Sequence, residues 1–439
     1  VGIDETPKNA DGKTPGVAAE KHTPSRFLPR ARRILARLVV AVLAVAALLW
    51  LAVTAGWIGI YLPEPAGPHR VGRAHYDLID RSRPETFGGD PNACRQIVIT
   101  VYYPAMTSPG AKAGPYVEEK MARFLAGKLH MPAATATLIH SHAYSNLPIA
   151  AAKFPVVLFF PGIGTAPVEY TSAVEDLASR GYVVALVYPS YSVAVTVFAN
   201  GQVAPLSDAG FRCENEPPNT SDEQKEADRG AIGSVWVADA RFVLDELGRM
   251  EVNDPRLAGH LDLDRVGIAG HSFGGATAAE AIRVDRRFKA AINMDGTPFR
   301  ITGTSTIDRP VLWMTSDYAA VTDDQLARIH MSRDEFDAKL RQRQEQRRPF
   351  GRLLKRGHLW TLKGSTHSTF ISDDALIGAV IPGMSDPLAN IDGRRAAAII
   401  GKYIALFFDQ HLNKQVEKRP DVDWPADPAV EISALGEPR

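Results

Sequence analysis

The sequence predicts an α/β fold with a doubly wound, mostly parallel sheet, and three observations predict it. The runs 156–160 and 182–188 are continuous apolar stretches of strand length, the pattern of strands buried on both faces. Segments of helical character lie between such runs, so strand and helix alternate along the chain. A glycine-rich turn, Gly270-His271-Ser272-Phe273-Gly274, follows an apolar run at 265–269 and precedes a helix-favouring run at 276–282.

The N-terminal segment is a separate object. Residues 1–37 are rich in Pro, Lys, Gly and Thr without apolar periodicity and read as a disordered basic tail. Residues 38–62 are nearly all apolar and uncharged; at ~1.5 Å per residue such a helix outspans a hydrocarbon core of ~30 Å. A transmembrane helix or signal anchor is expected there. Lys21, Arg26, Arg30, Arg32, Arg33 and Arg37 precede it, so the tail is expected in the cytoplasm and the rest outside the cytoplasmic membrane. Val53-Thr54-Ala55 resembles a cleavage site, so a removed signal peptide and a secreted product form the competing reading.

Residues 63–417 read as one α/β domain behind a linker containing Pro63, Pro65 and Pro68. An early strand is expected at 97–103, and a crossover helix at 169–180 between the two apolar strands. A long helix at 232–250 carries Trp236, Ala240, Val243 and Leu247 on one face. Further strands are expected at 265–269, 289–294, 311–315 and 359–362, and a closing amphipathic helix at 394–411. Residues 418–439 read as a C-terminal tail. The 439 residues are 45% hydrophobic and 23% charged with zero formal net charge, an ordinary globular balance without the basic footprint of a nucleic-acid binder. The two cysteines, Cys94 and Cys213, lack zinc-site spacing; a disulfide and two free thiols are both open.

Strand, sharp turn and helix around Ser272 are what a nucleophile elbow requires, the device of the α/β-hydrolase fold. A serine hydroxyl needs a base to take its proton and a carboxylate to fix that base's tautomer. His367, in the turn Lys363-Gly364-Ser365-Thr366-His367 just past a strand, is the expected base. His330 and His411 are expected in solvated helical positions, and His358 at the wrong end of the sheet. Asp295 and Asp317 each end a strand at the edge where sites collect in open sheets, so both stand as candidate acids. The oxyanion donors are expected from the backbone amides of Phe273 and Ile163. Gly162 and Gly164 lack the third glycine of a dinucleotide loop. His140 and His142 lack a third metal ligand, so no metal and no cofactor is expected. The charge-dense stretch 323–356 reads as a solvated helical insertion; facing a bilayer, its basic end would attract anionic headgroups.

Several stretches together resemble the plasma-type (isoform II) platelet-activating factor acetylhydrolases. They are 154–164 with 176–185, the elbow 270–277 with Asp285, Arg287, Phe288 and Asp295, the turn Gly364-Ser365-Thr366-His367 with Phe370, and the openings 67–72 and 101–104. The resemblance runs from about Gly67 to Leu412. It implies that Asp295 is the acid, and a calcium-independent serine esterase removing short or oxidised acyl chains from phospholipids. Pro161 stands where the family commonly has histidine before its oxyanion glycines, and 189–195 departs from the family's charged segment. Polyester-cleaving, cutinase-like enzymes and small-ester carboxylesterases share much of this elbow and form the alternative. A non-catalytic, anchored envelope binding protein is the alternative outside enzymes; the intact Ser, Asp, His order stands against it. No sequence signal bears on oligomeric state.

Overall fold

The computed structural model describes residues 34–45, 48 and 59–435, apart from 91, 107–109, 112, 129–137, 146, 216–219, 300–305, 319–320, 380–384 and 414–423. The chain divides into two compact units, Val1–Ile58 and Gly59–Arg439. In the first, residues 34–45 are an exposed helix. Residues 46–47 and 49–58 of the expected span 38–62 lie outside the described residues, and among the described residues no helix is long and apolar enough to cross a membrane. The end of that span is corrected outright. Ile60–Tyr61 is a strand paired in parallel with Ile139–His140, Tyr61 stacks on the His140 ring at 4.6 Å, and Leu62 is 2% exposed within the domain core. Leu62 is apolar because it packs against protein.

The second unit is built on one sheet. Its long strands are β1 (Arg70–Pro84), β2 (Cys94–Ala105), β3 (Phe154–Phe160), β4 (Val183–Pro189), β5 (Leu261–His271), β6 (Phe288–Met294), β7 (Val311–Ser316), β8 (Gly357–Leu362) and β9 (Val430–Leu435). The spatial order is β9-β8-β7-β6-β5-β3-β4-β2-β1, with the short strand Tyr144–Ser145 beyond β1. Strands β3 to β8 run parallel to their neighbours, whereas β1, β2 and β9 pair antiparallel. Every residue of β3 and β4 is buried, as continuous apolar runs demand.

Helices cover both faces. On one, Val174 and Leu177 of α1 (Thr171–Ser179) share a core with Ile399, Tyr403 and Phe407 of α5 (Gly393–Leu412). On the other, Trp236 and Val243 of α2 (Asp222–Asn253) pack with Ala278 and Ile282 of α3 (Phe273–Val284). Strand order reverses at β3: the chain steps outward to β4, then returns to place β5 on β3's other side. The carboxyl ends of β3 and β5 therefore open a crevice at the switch point, where ligands collect in such sheets.

The expected tail 418–439 is corrected: Val430–Leu435 is β9, closing the β8 edge from Gly357↔Leu435 to Leu362↔Val430. Trp424 stacks on Tyr403 of α5 at 5.6 Å ahead of it. Neither Cys94 nor Cys213 is in a disulfide. One buried charge ties the antiparallel end of the sheet to α2. Arg95 of β2, 1% exposed, meets Glu85 at 2.8 Å and Asp239 of α2 at 2.7 Å, and its guanidinium also donates to the Ser190 carbonyl. Arg95→Ala takes that cation from both buried carboxylates, Asp239 keeping Arg83 at 2.8 Å. Its urea midpoint is expected to fall by an amount worth about 3–5 kcal/mol; an unchanged midpoint would show that the pairing contributes nothing.

Candidate active site

Strand β5 ends at His271, and Ser272 takes φ 55°, ψ −118° before α3 begins at Phe273. That left-handed backbone is costly for a residue with a Cβ and is held by its neighbours. The Ser272 amide donates to the Met294 carbonyl of β6 at 2.8 Å. A Cβ on Gly274 would sit 2.3 Å from the Phe160 carbonyl oxygen, and one on Gly270 would lie 2.4 Å from Gly274 itself. The glycines of the motif let β3 close against the turn and lift Ser272 above it.

The structure brings Ser272, His367 and Asp295 together. Ser272 Oγ lies 2.8 Å from His367 Nε2, and His367 Nδ1 lies 2.7 Å from Asp295 Oδ2. Asp317, the other candidate acid, is elsewhere: its carboxylate accepts the Gly364 N–H at 3.3 Å. It thereby pins the turn that presents His367. Its neighbours act likewise. Ser316 donates from backbone and hydroxyl to the two Asp295 carboxylate oxygens at 3.1 and 2.8 Å, and Tyr318 Oη accepts the His367 N–H at 2.8 Å. Three consecutive residues at the end of β7 thus hold the Asp295 carboxylate, the turn and the His367 backbone.

Asp295 is buried and itself has φ 53°. Burial would push its carboxyl upward, but Arg347, the His367 contact and Arg343 outweigh it and hold the carboxyl well below the usual range. Arg347 Nη2 lies 2.9 Å from Asp295 Oδ1 and 3.0 Å from its carbonyl oxygen; Arg343 Nη1 lies 3.7 Å from Oδ2. Both arginines come from α4 (Arg333–Gly351), inside the stretch expected to be a solvated insertion. That expectation is corrected for the inner face of the helix. Arg347 is 17% exposed at its side chain, and Phe336 packs with Val321 and Leu326. The missed signal is the four-residue spacing of Arg343 and Arg347, which puts both on one helix face.

A second missed element is His271, the x of the elbow. Gly162 N–H donates to Tyr170 Oη at 3.0 Å; Tyr170 Oη lies 2.8 Å from His271 Nδ1; His271 Nε2 lies 3.0 Å from the His367 carbonyl oxygen. Burial first, then the neighbouring His367, holds the His271 pKa well below its ordinary value. The ring is therefore neutral, with Nδ1 accepting from Tyr170 and Nε2–H donating to His367, an assignment made from the network. This relay links the loop after β3 to the histidine turn. In that loop the amides of Gly162, Gly164 and Thr165 donate to Tyr170 Oη, Ser192 O and Gly162 O, and Pro161 has no N–H. Ile163 is thus the loop residue whose amide is suited to a ligand. Phe273 opens α3, where amides have no intrahelical acceptor.

The remaining histidines lie elsewhere. His358 sits in β8 edge-on to Trp424, and His330 is in a turn with φ 54°. His411 is not solvated as expected: it packs edge-on against Phe407, and burial pushes its pKa down to about 4. His142 Nε2 lies 2.8 Å from the Leu62 carbonyl oxygen, and His140 is stacked on Tyr61. Among the described residues no group of three metal-ligating side chains converges. A cleft of about 1050 Å³ opens over Ser272, walled by Ile163, Phe273 and His367, by Arg229 of α2, and by Phe336 and Leu340 of α4.

Arg347→Met removes the nearest cation from a buried carboxylate and is expected to lower stability at pH 7 by on the order of 3 kcal/mol. A depressed carboxyl stabilises the fold above its unfolded pKa of ~3.9, and that contribution is lost as pH falls toward the folded value. Urea midpoints at pH 7 and pH 3 check this: the gap between the variant and the parent protein should narrow at pH 3. A gap constant with pH would show that Arg347 acts by packing alone.

Comparison with known proteins places this geometry. The family profile described as platelet-activating factor acetylhydrolase, isoform II, matches residues 248–427. The chain is 27% identical over 273 residues to the platelet-activating factor acetylhydrolase of Cavia porcellus, covering 59% of this chain and 58% of that protein. It thus spans less than two thirds of that relative's length. The Gallus gallus protein of the same name is 21% identical over 388 residues, covering 81% and 84%. Among solved structures, a ferulic acid esterase from Streptomyces cinnamoneus superposes with TM-score 0.68 at 27% identity, covering 85% of this chain and 99% of that one. The chain is therefore similar in sequence to the platelet-activating factor acetylhydrolases and in architecture to an esterase of the α/β-hydrolase type, which bears out the resemblance carried by its motifs.

Proposed function

We propose that this chain is a serine carboxylic ester hydrolase that removes short or oxidised acyl groups, with phospholipid esters as its substrate class. The observation that carries the reading is the Ser272–His367–Asp295 relay at the mouth of the cleft. In this reading His367 Nε2 takes the Ser272 proton as Oγ attacks the ester carbonyl. Asp295 keeps the proton on Nδ1 and stabilises the imidazolium that forms. The amides of Phe273 and Ile163 receive the developing oxyanion. His367 then protonates the leaving alkoxide and afterwards activates the water that hydrolyses the acyl-enzyme. The phospholipid assignment is supported by the isoform II profile and the vertebrate relatives. Placement of the domain outside the cytoplasmic membrane belongs to the same proposal, supported by the uncharged apolar run and the basic residues before it.

A second reading is favoured by the solved neighbour, matched over 99% of its length and named a ferulic acid esterase: a small aromatic or polymeric ester in the same cleft. Short, medium and long p-nitrophenyl esters, with methyl ferulate alongside, separate the two. The acyl-chain reading predicts kcat/KM falling about tenfold or more as the chain lengthens beyond the pocket; faster turnover of methyl ferulate than of every alkyl ester would favour the second reading.

For the chemistry itself, a fluorophosphonate probe should label Ser272 and fail to label a folded Ser272→Ala variant. Asp295→Asn is expected to cost about 10⁴-fold in kcat, as loss of the correct imidazole tautomer does in such triads. Asp317→Asn, which only loosens a turn, should cost about tenfold or less. Equal losses in the two variants would overturn the assignment of Asp295.

A further inference from the structure

Among the described residues two arginines are buried, and their surroundings differ. Arg95 is enclosed by Glu85 and Asp239. Arg73 of β1, 4% exposed, donates from Nη2 to the Pro115 carbonyl oxygen, while its buried Nε has no hydrogen-bond partner. No ion pair among the described residues includes it. A guanidinium withdrawn from water without a hydrogen-bonded anion is costly; the buried Glu175 carboxylate feels its charge but is bonded to the His142 and Ala143 amides.

Arg73 lines a cavity of about 500 Å³, on residues entirely separate from those of the Ser272 cleft. Its walls combine two chemistries. Tyr102, Tyr188 and His75 give it a polar side, with the His75 Nδ1 fixed 2.8 Å from Thr100 Oγ1. Met121, Val168 and Phe198 give it an apolar side. Two acids also line it: Asp77, whose Oδ2 accepts the Ala199 N–H at 2.8 Å, and Glu118. Lys120 is the other cation.

We propose that this cavity is a second ligand site that binds an amphiphilic monocarboxylate, its headgroup on Arg73 and its chain along Met121, Val168 and Phe198. The planar guanidinium fork matches a carboxylate. Asp77 and Glu118 oppose a dianionic phosphate, which selects the singly charged head. An alcohol of equal length brings no charge to the Arg73 guanidinium.

Octanoate titrated into the full chain by calorimetry tests the site, with octanol and octyl phosphate as comparators. Octanoate should bind, and Arg73→Met should weaken it by about tenfold or more, the scale of a lost charge-assisted hydrogen bond. Met121→Trp, which fills the apolar side and leaves Arg73 in place, should abolish binding; it decides the matter if Arg73→Met does not fold. Octanol and octyl phosphate should each bind at least about tenfold more weakly. No octanoate binding at millimolar concentration would overturn the site. Binding unchanged in both variants would place octanoate elsewhere, in the Ser272 cleft included, and overturn it too. Octanol or octyl phosphate binding as tightly as octanoate would overturn the carboxylate class.

Discussion

The Asp295 carboxylate is an ionised group at the bottom of a packed sheet, and the C-terminal edge of the sheet is organised around compensating it. Four elements converge there: the turn after β6 that carries it, Ser316 at the end of β7, His367 after β8, and Arg347 from α4. Each carboxylate oxygen takes two of these contacts, so neither is buried unsatisfied. Because the compensating groups come from separate strands, the register of β6, β7 and β8 fixes where His367 points. Strand β5 carries Ser272, whose hydrogen bond to the Met294 carbonyl of β6 fixes where it stands. The backbone tension at both residues, each with positive φ, is held by hydrogen bonds reaching across neighbouring strands.

A second constraint runs through His271. Its neutral ring joins the loop after β3, through Tyr170, to the carbonyl of His367. The residue before Ser272 in sequence therefore sets the spacing between the two loops flanking Ser272. Protonating that ring would place a donor against the Tyr170 hydroxyl, which would have to turn its proton away from His271. The desolvation that keeps the ring neutral keeps the relay in one direction.

Ser272 and His367 were legible in the sequence because their signals are local: strand, glycine turn, helix in one case, and a strand followed by a Gly-Ser-Thr turn in the other. The carboxylate beside His367 was not, since Asp295 and Asp317 both stand at strand ends and differ only in where the backbone aims them; the family resemblance, not the spacing, pointed to Asp295. Arg343 and Arg347 were hidden in a segment whose charge density is that of a solvated helix. Long-range pairing hid β9, a six-residue strand beyond polar sequence. At the other end, Ile60–Leu62 continued an apolar run whose composition cannot separate lipid from protein core. Local chemistry survives translation into sequence patterns, whereas charge compensation between distant elements does not.

The most direct test of this arrangement is the His367 ring proton itself, observed by ¹H–¹⁵N NMR of the imidazole nitrogens. A neutral ring with its proton on Nδ1, hydrogen-bonded and protected from exchange, is predicted for the parent protein and for Asp317→Asn, with the signal lost in Asp295→Asn. A protected Nδ1 proton that survives in Asp295→Asn and disappears in Asp317→Asn would contradict the account.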